Sequence, residues 1–157
     1  MTKLLLLLTM IYLSNLCFSQ QLIQTDTINL IDNHSTTWQT YFENAQVRIE
    51  YNSTDCDPAM GYDFEQINLR FVNKTTTKID IDWHIHLYYD KKCLTCNYPL
   101  EYSRTIRLIG NETKEGNCDR ESMNELKLFS KFNDANYSKG AVLTAFKLAV
   151  FTITEVD

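Results

Sequence analysis

The sequence predicts an all-β domain, an antiparallel β-sandwich of about seven short strands. Three observations support this prediction. Apolar and polar residues alternate with a period of two in several segments from Val47 onward, aromatic residues are plentiful, and glycine and proline are scarce (nine Tyr, eight Phe and two Trp against four Gly and two Pro). Such a composition is typical of strands around a packed core. At 157 residues the chain has the length of one domain.

We interpret residues 1–19 as a cleavable signal peptide. Lys3 supplies the positive charge, residues 4–13 form a short apolar run, and Ser19 is a small residue before the expected cleavage at Gln20. The apolar run is shorter than the roughly 20 residues of a membrane helix, so a retained anchor is the weaker alternative. We therefore expect a secreted or periplasmic protein with no transmembrane segment after signal removal.

The remaining chain is acidic. Without Lys3, 14 of the 15 Lys and Arg residues remain against all 20 Asp and Glu residues, a net charge of about −6. An acidic domain without a basic run repels phosphate backbones, so nucleic acid is not an expected partner. No cofactor is indicated either.

Residues 20–45 are polar with sparse apolar positions, and we expect a loosely ordered N-terminal arm. Within it, Trp38, Tyr41 and Phe42 have the i, i+3, i+4 spacing of a short helical turn or an apolar lead-in. The sandwich domain is expected over residues 46–157.

The strongest predicted strand is Ile79–Tyr89, in which six apolar residues alternate with polar ones. Trp83 on its apolar face should lie in the core, surrounded by Ile49, Leu69, Phe71, Ile81, Ile85 and Leu128. The other expected strands lie around Val47–Tyr51, Ile67–Phe71, Ser103–Ile109, Leu126–Phe132 and Ala141–Val156.

Four cysteines follow the signal: Cys56, Cys93, Cys96 and Cys118. An even count in a small exported domain predicts two disulfides, with three pairings open. One pairing closes a tight loop between Cys93 and Cys96 and ties distant segments through Cys56 and Cys118. A thiol oxidoreductase site would place this Cys-x-x-Cys at a helix N-terminus, and no helix is predicted there.

Several segments together resemble small exported bacterial proteins with an immunoglobulin-like β-sandwich and no assigned function. The resemblance covers roughly Val47 to Thr154 and rests on Val47–Cys56, Ile67–Thr75, the Trp83 strand with Tyr88-Tyr89-Asp90, and Cys93-Leu94-Thr95-Cys96. It implies an immunoglobulin-like fold and an exported location. It implies no reaction and no site.

The sharpest metal candidate is the polar face of the Trp83 strand. His84 and His86 are two residues apart, so their imidazoles project from one face and can share a Zn²⁺ or Cu²⁺ ion, with Asp82 as a third ligand. The alternative is an ordinary solvent-facing strand face.

Tyr88, Tyr89, Tyr98 and Tyr102 surround the cysteine loop and are candidates for a ligand platform, because amphipathic rings bind at low entropic cost. The alternative is that they cap one end of the core. Since no nucleophile motif or phosphate loop occurs, the leading hypothesis is a secreted, non-enzymatic binding module for an extracytoplasmic protein or glycan. Metal binding and, less favoured, a small hydrolase are the alternatives.

Overall fold

The computed structural model describes residues 22–31, 33–57, 59, 63–134 and 140–156, and the signal predicted at residues 1–19 lies outside these ranges. The described residues form ten strands and a 3-10 helix at Asn124–Leu126. The strands are β1 (Ile28–Asn29), β2 (Gln39–Glu43), β3 (Val47–Cys56), β4 (Phe64–Asn73), β5 (Lys78–Tyr89), β6 (Lys92–Cys93), β7 (Ser103–Leu108), β8 (Thr113–Glu115), β9 (Lys127–Phe132) and β10 (Leu143–Val156). Across these ranges, no helix has the length and apolar character needed to cross a membrane.

The strands form two antiparallel sheets. In the first sheet, β5 lies between β10 and the pair β6 and β7, and β1 covers the free edge of β10. In the second sheet, β4 lies between β3 and the pair β8 and β9, and β2 pairs with the outer edge of β3. The all-β, two-sheet architecture predicted from the sequence is therefore confirmed.

The core lies between the sheets and is built by alternate residues of the long strands. Trp83 of β5 is 2% exposed and stacks on Phe71 of β4 with a ring-centroid distance of 5.0 Å. The residues expected around Trp83 are also buried, namely Ile49, Leu69, Phe71, Ile81, Ile85 and Leu128. Burying a side chain of this size stabilises the fold by about 1.5–3 kcal/mol.

The N-terminal segment differs from the expected loose arm. Ile28–Asn29 pairs with β10, Ile23 forms a bridge with Phe151, and Leu30 is buried in the core. The physical reason is that β10 and β3 would each otherwise have an edge whose backbone N–H and C=O groups are unpaired. The segment before residue 33 forms hydrogen bonds with β10, and the segment after it forms hydrogen bonds with β3. The sequence predicts this poorly because edge pairing depends on distant partners.

The spacing of Trp38, Tyr41 and Phe42 does not produce a helical turn, since residues 39–43 form β2. A register shift just before Phe42 places a bulge in this strand. As a result, the adjacent Tyr41 and Phe42 both reach the core, where their rings contact Phe146 and Phe151.

A second bulge explains the mixed periodicity of the last strand. The pairing of β10 with β5 shifts between Ala149 and Thr152, and Val150 has a φ of 50°. The bulge changes which residues face inward, so Leu148 before it and Phe151 after it are both fully buried.

Two disulfides connect the four cysteines, and the pairing is Cys56–Cys118 and Cys93–Cys96. The first ties the end of β3 to the segment before the 3-10 helix, over a sequence separation of 62 residues. The second closes the tight loop after β6. This is the pairing that the sequence analysis set apart among the three alternatives.

Asn73 fixes the connection between β4 and β5 from inside the protein. Its side-chain amide donates hydrogen bonds to the carbonyls of Thr77 (2.8 Å) and Ile109 (2.9 Å), and its oxygen accepts from the backbone N–H of Thr75 (2.9 Å). Asn73 is 1% exposed. These bonds replace the water that its amide would lose on burial.

Candidate functional site

A tight hairpin brings the cysteine loop onto the outer face of the first sheet. Asp90 and Lys91, the two residues between β5 and β6, have φ values of 48° and 67°, as a two-residue type I′ turn requires. The hairpin pairs Cys93 with Tyr88. Directly paired residues face the same side of a sheet, so Cys93 lies on the face that carries His86.

His86, Cys93 and Cys96 are the one group of three potential metal ligands found among the described residues. Their ligand atoms all lie within 4.8 Å of one another. The backbone N–H of Cys96 donates to Cys93 Sγ (3.1 Å), and the Tyr88 hydroxyl lies 4.0 Å from Cys96 Sγ. In the structure the two sulfurs form a disulfide, so neither is the thiolate that a metal ion binds.

The two histidines of β5 have different surroundings. Their rings meet edge to face with centroids 4.9 Å apart. His84 is 6% exposed, and its Nε2 has no hydrogen-bond partner in the described part of the chain. Burial lowers the pKa of His86, and electrostatic interactions with His84 and Lys147 lower the pKa further.

The sequence analysis expected His84 on a solvent-facing strand face, and its burial differs from that expectation. The reason is that β5 is the central strand of its sheet, with His84 paired to Ala149 on one side and Ser103 on the other.

The acidic residues of the same strand are engaged by β7. Arg107 makes a bidentate contact with Asp80 (2.7 and 2.6 Å), and the hydroxyl of Thr105 donates to Asp82 (2.6 Å). The bonds from Arg107, with its charge, hold the pKa of Asp80 below its ordinary value. The predicted metal set of His84, His86 and Asp82 is thus divided, because only His86 belongs to the ligand group described above.

The four tyrosines of the predicted platform lie on two sides of the sheet. Tyr88 points to the outer face and Tyr98 is 54% exposed, whereas Tyr89 and Tyr102 pack against the core. The Tyr89 hydroxyl donates to the carbonyl of Phe129 (2.6 Å), and burial raises the pKa of Tyr89 to about 12. Successive strand residues face opposite sides, which separates Tyr88 from Tyr89. The four tyrosines therefore do not share one face of the sheet.

The loop after β6 is anchored firmly to β5. The hydroxyl of Thr95, which is 2% exposed, donates to the carbonyl of Ile85 (2.7 Å) and accepts from the N–H of Leu87 (2.9 Å). The Cys93–Cys96 disulfide closes the loop around this anchor. At its far end the Ser103 hydroxyl donates to the carbonyl of Pro99 (2.7 Å).

This anchored loop, residues 94–100, presents apolar side chains to solvent. Leu100 is 94% exposed, and Leu94 and Tyr98 are each 54% exposed. Single exposed apolar residues are common, but three on one fixed loop form a typical recognition surface. Sequence reasoning identified Tyr98 and missed Leu94 and Leu100, whose only signal was their position in a loop outside the strand pattern.

A second polar cluster, which the sequence analysis did not predict, lies at one end of the second sheet. His34 Nε2 contacts Ser53 Oγ (2.9 Å) and Glu65 Oε2 (2.8 Å), and Ser130 donates to Glu65 Oε1 (2.7 Å). Burial of Glu65 acts to raise its pKa, but the bonds from Ser130 and His34 and the charge of Lys131 outweigh it, so the pKa is lowered.

The cluster joins a serine, a histidine and a carboxylate, yet its geometry is not that of a catalytic triad. A triad places the serine and the carboxylate on opposite ring nitrogens, so that the ring can pass a proton between them. Here both partners contact Nε2 of His34. Ser53 is also 3% exposed, which leaves its hydroxyl little access to a substrate. The cluster is therefore a hydrogen-bond network in which Ser53, Glu65 and Ser130 are buried and His34 is half-exposed.

Comparison of the chain with protein-family models, with curated proteins and with solved structures found no match.

Proposed function

We propose that this protein is an exported, non-enzymatic binding module with an immunoglobulin-like sandwich, and that it recognises an extracytoplasmic protein through the 94–100 loop. The main observation in support is that Leu94, Tyr98 and Leu100 are exposed on a loop that is fixed at both ends. A preformed loop loses little conformational entropy on binding, so its apolar contacts contribute more fully to affinity.

A protein partner fits this surface better than a glycan does. Leu94 and Leu100 carry no hydrogen-bonding groups, whereas glycan sites need polar side chains to replace the sugar's water contacts. With Tyr89 and Tyr102 packed against the core, the loop also offers few free aromatic faces for a sugar ring. Burying two leucines against a partner favours a protein interface core.

Export and the immunoglobulin-like topology have separate support. Two disulfides and the signal-like residues 1–19 are typical of a chain that folds in an oxidising compartment. The chain also passes between the two sheets four times, from β1 to β2, β4 to β5, β7 to β8 and β9 to β10. Repeated exchange between sheets is a property of immunoglobulin-like sandwiches.

The experiment compares immobilised wild-type protein with the double variant Leu94→Ser/Leu100→Ser. Culture medium and envelope extract from the source cells are passed over both, and retained proteins are quantified by mass spectrometry. Ile109→Ser is the matched control, because Ile109 is 60% exposed but lies outside the loop.

We expect at least one protein to be retained less by the double variant, by a factor of about 100 or more, and equally by the control. Each buried leucine is worth about 1.5–3 kcal/mol, and about 1.4 kcal/mol corresponds to a factor of ten in affinity. Equal retention by the double variant would refute the proposal. Selective binding to a glycan array that is unaffected by the double substitution would assign the function to a different surface.

A further inference from the structure

We propose that reduction of the Cys93–Cys96 disulfide converts this region of the outer face into a Zn²⁺ site, with His86 and the two cysteine sulfurs as ligands. The site does not depend on the proposed protein-binding function. It also differs from a site on β5 alone, because two of its three ligands come from the loop that follows β6.

The distances fit a small rearrangement. Zinc bonds of about 2.3 Å to sulfur and 2.0–2.1 Å to nitrogen place tetrahedral ligand atoms roughly 3.5–3.8 Å apart. The three ligand atoms already lie within 4.8 Å of one another. To bind one ion, the two sulfurs must move apart once their bond is broken. The ring nitrogen of His86 must move about 1 Å toward them. The Cα atoms of the cysteines are 5.8 Å apart, which leaves room for both sulfurs to bind one ion.

A backbone hydrogen-bond donor is already in place for one of the two thiolates. The N–H of Cys96 donates to Cys93 Sγ (3.1 Å), and the Tyr88 hydroxyl lies 4.0 Å from Cys96 Sγ. Donors of this kind stabilise the charged form of a thiol and orient it toward a metal.

His84 is an independent indication of a ligand at this place. It is 6% exposed, its ring centroid lies 4.9 Å from that of His86, and its Nε2 has no partner among the described residues. A buried polar atom without a partner is costly. His84 lies outside the group of three ligand atoms that are within 4.8 Å of one another. It reaches the fourth position of a tetrahedral Cys₂His₂ site, a set that zinc prefers, only if its ring moves together with that of His86.

The chemistry needs a dithiol as reductant. Exchange breaks the Cys93–Cys96 bond, the two sulfurs gain two electrons and two protons, and the dithiol becomes a disulfide. Zn²⁺ then displaces both thiol protons into water. Cys93 and Cys96 are partly exposed whereas Cys56 is 1% exposed, so the reductant reaches the loop disulfide first. Exchange with a second disulfide reverses the process: the Cys93–Cys96 bond forms again, that disulfide is reduced to two thiols, and the ion is released, which makes the site redox-controlled.

The test uses the purified exported protein before and after mild reduction with dithiothreitol, which is removed by gel filtration under argon. Alkylation and mass spectrometry establish that two thiols, and not four, are free. Zn²⁺ is then added in excess, unbound metal is removed, and the bound metal is measured per chain. Co²⁺ in place of Zn²⁺ gives a thiolate charge-transfer band as a second readout. The variants are Cys93→Ser/Cys96→Ser, His86→Ala and the control Asp82→Asn.

We expect one Zn²⁺ per reduced chain, none per oxidised chain, none in the double cysteine variant, about 10-fold weaker binding in His86→Ala, and wild-type binding in Asp82→Asn. Either of two results overturns the proposal: no metal in the reduced wild type with two free thiols, or equal metal in the oxidised and reduced protein. The second result would instead support a site on the histidines alone. Near-ultraviolet circular dichroism of each variant verifies that it is folded.

Discussion

Replacing Cys56 and Cys118 by alanine removes a cross-link that spans 62 residues of sequence. In the chain-entropy account, such a loop closure stabilises the folded state by about 4 kcal/mol, because it restricts the unfolded chain. The same relation gives only about 2 kcal/mol for Cys93–Cys96, whose partners are three residues apart. Domains of this size have total stabilities of about 5–15 kcal/mol. We therefore expect the first double variant to lose a large part of its stability and the second to lose much less.

The assay is urea unfolding of both double variants and the wild type, followed by tryptophan fluorescence with circular dichroism as a second probe. Coincident transitions allow the free energies of unfolding to be compared. The Cys93→Ala/Cys96→Ala variant is the matched control, since it also removes two sulfurs. Equal losses in the two variants, or a loss below about 1 kcal/mol for Cys56→Ala/Cys118→Ala, would refute the argument from loop length.

Three further predictions concern the core and its polar groups. Phe71→Ala should lower the free energy of unfolding by about 3–5 kcal/mol in urea titrations, because a fully buried ring is lost from the stack between the sheets; a loss below 1 kcal/mol would contradict the described core. Asn73→Ala should cost about 2–3 kcal/mol by leaving buried carbonyls without donors, whereas the exposed Asn33→Ala should change stability by less than about 0.5 kcal/mol. Because the pKa of Glu65 is lowered in the folded state, the unfolded state takes up the proton first as the pH falls. The stabilisation that the ionised Glu65 gives to the folded state is therefore present above pH 4.5 and is lost as the pH falls through the folded pKa. Thermal unfolding from pH 7 to 3 should therefore show a smaller acid sensitivity in Glu65→Gln, and identical pH profiles would count against the network.

The strands with regular alternation could be predicted because their signal is local. Apolar residues alternate with polar ones over Val47–Tyr51 of β3, Ile67–Phe71 of β4 and Ile79–Tyr89 of β5. Val47, Leu69 and Ile81 in these segments are fully buried in the structure. The side-chain period of a strand is two whatever its partner is. Sequence alone therefore identified the inward face of each of these strands.

The strands with bulges could not be predicted in the same way. Tyr41 and Phe42 are adjacent, yet both reach aromatic partners on β10, and Val150 interrupts the alternation of β10 itself. A bulge adds one residue to one strand, so the inward-facing positions before it and after it do not follow one continuous alternation. The bulge of β10 is set by its pairing with β5, in which Ala149 pairs with His84 and Thr152 with Asp82, 65 and 70 positions away in sequence.

The candidate site shows the same division. Residue spacing indicated that His84 and His86 share a face, and it made Cys93–Cys96 one of three possible pairings, because both relations are local. The meeting of His86 with the cysteines depends on a turn at Asp90 and Lys91 that lacks the Asn-Gly signature of its type.

The sequence by itself determined the strand faces, the aromatic core and the four candidate disulfide partners, since each follows from residue type and near spacing. Only the tertiary structure decided the burial of His84, the exposure of Leu100 and the contact of Glu65 with His34. Burial and contact depend on which segments pack over a residue, and those segments are brought there by sheet register and turn geometry rather than by neighbouring residues.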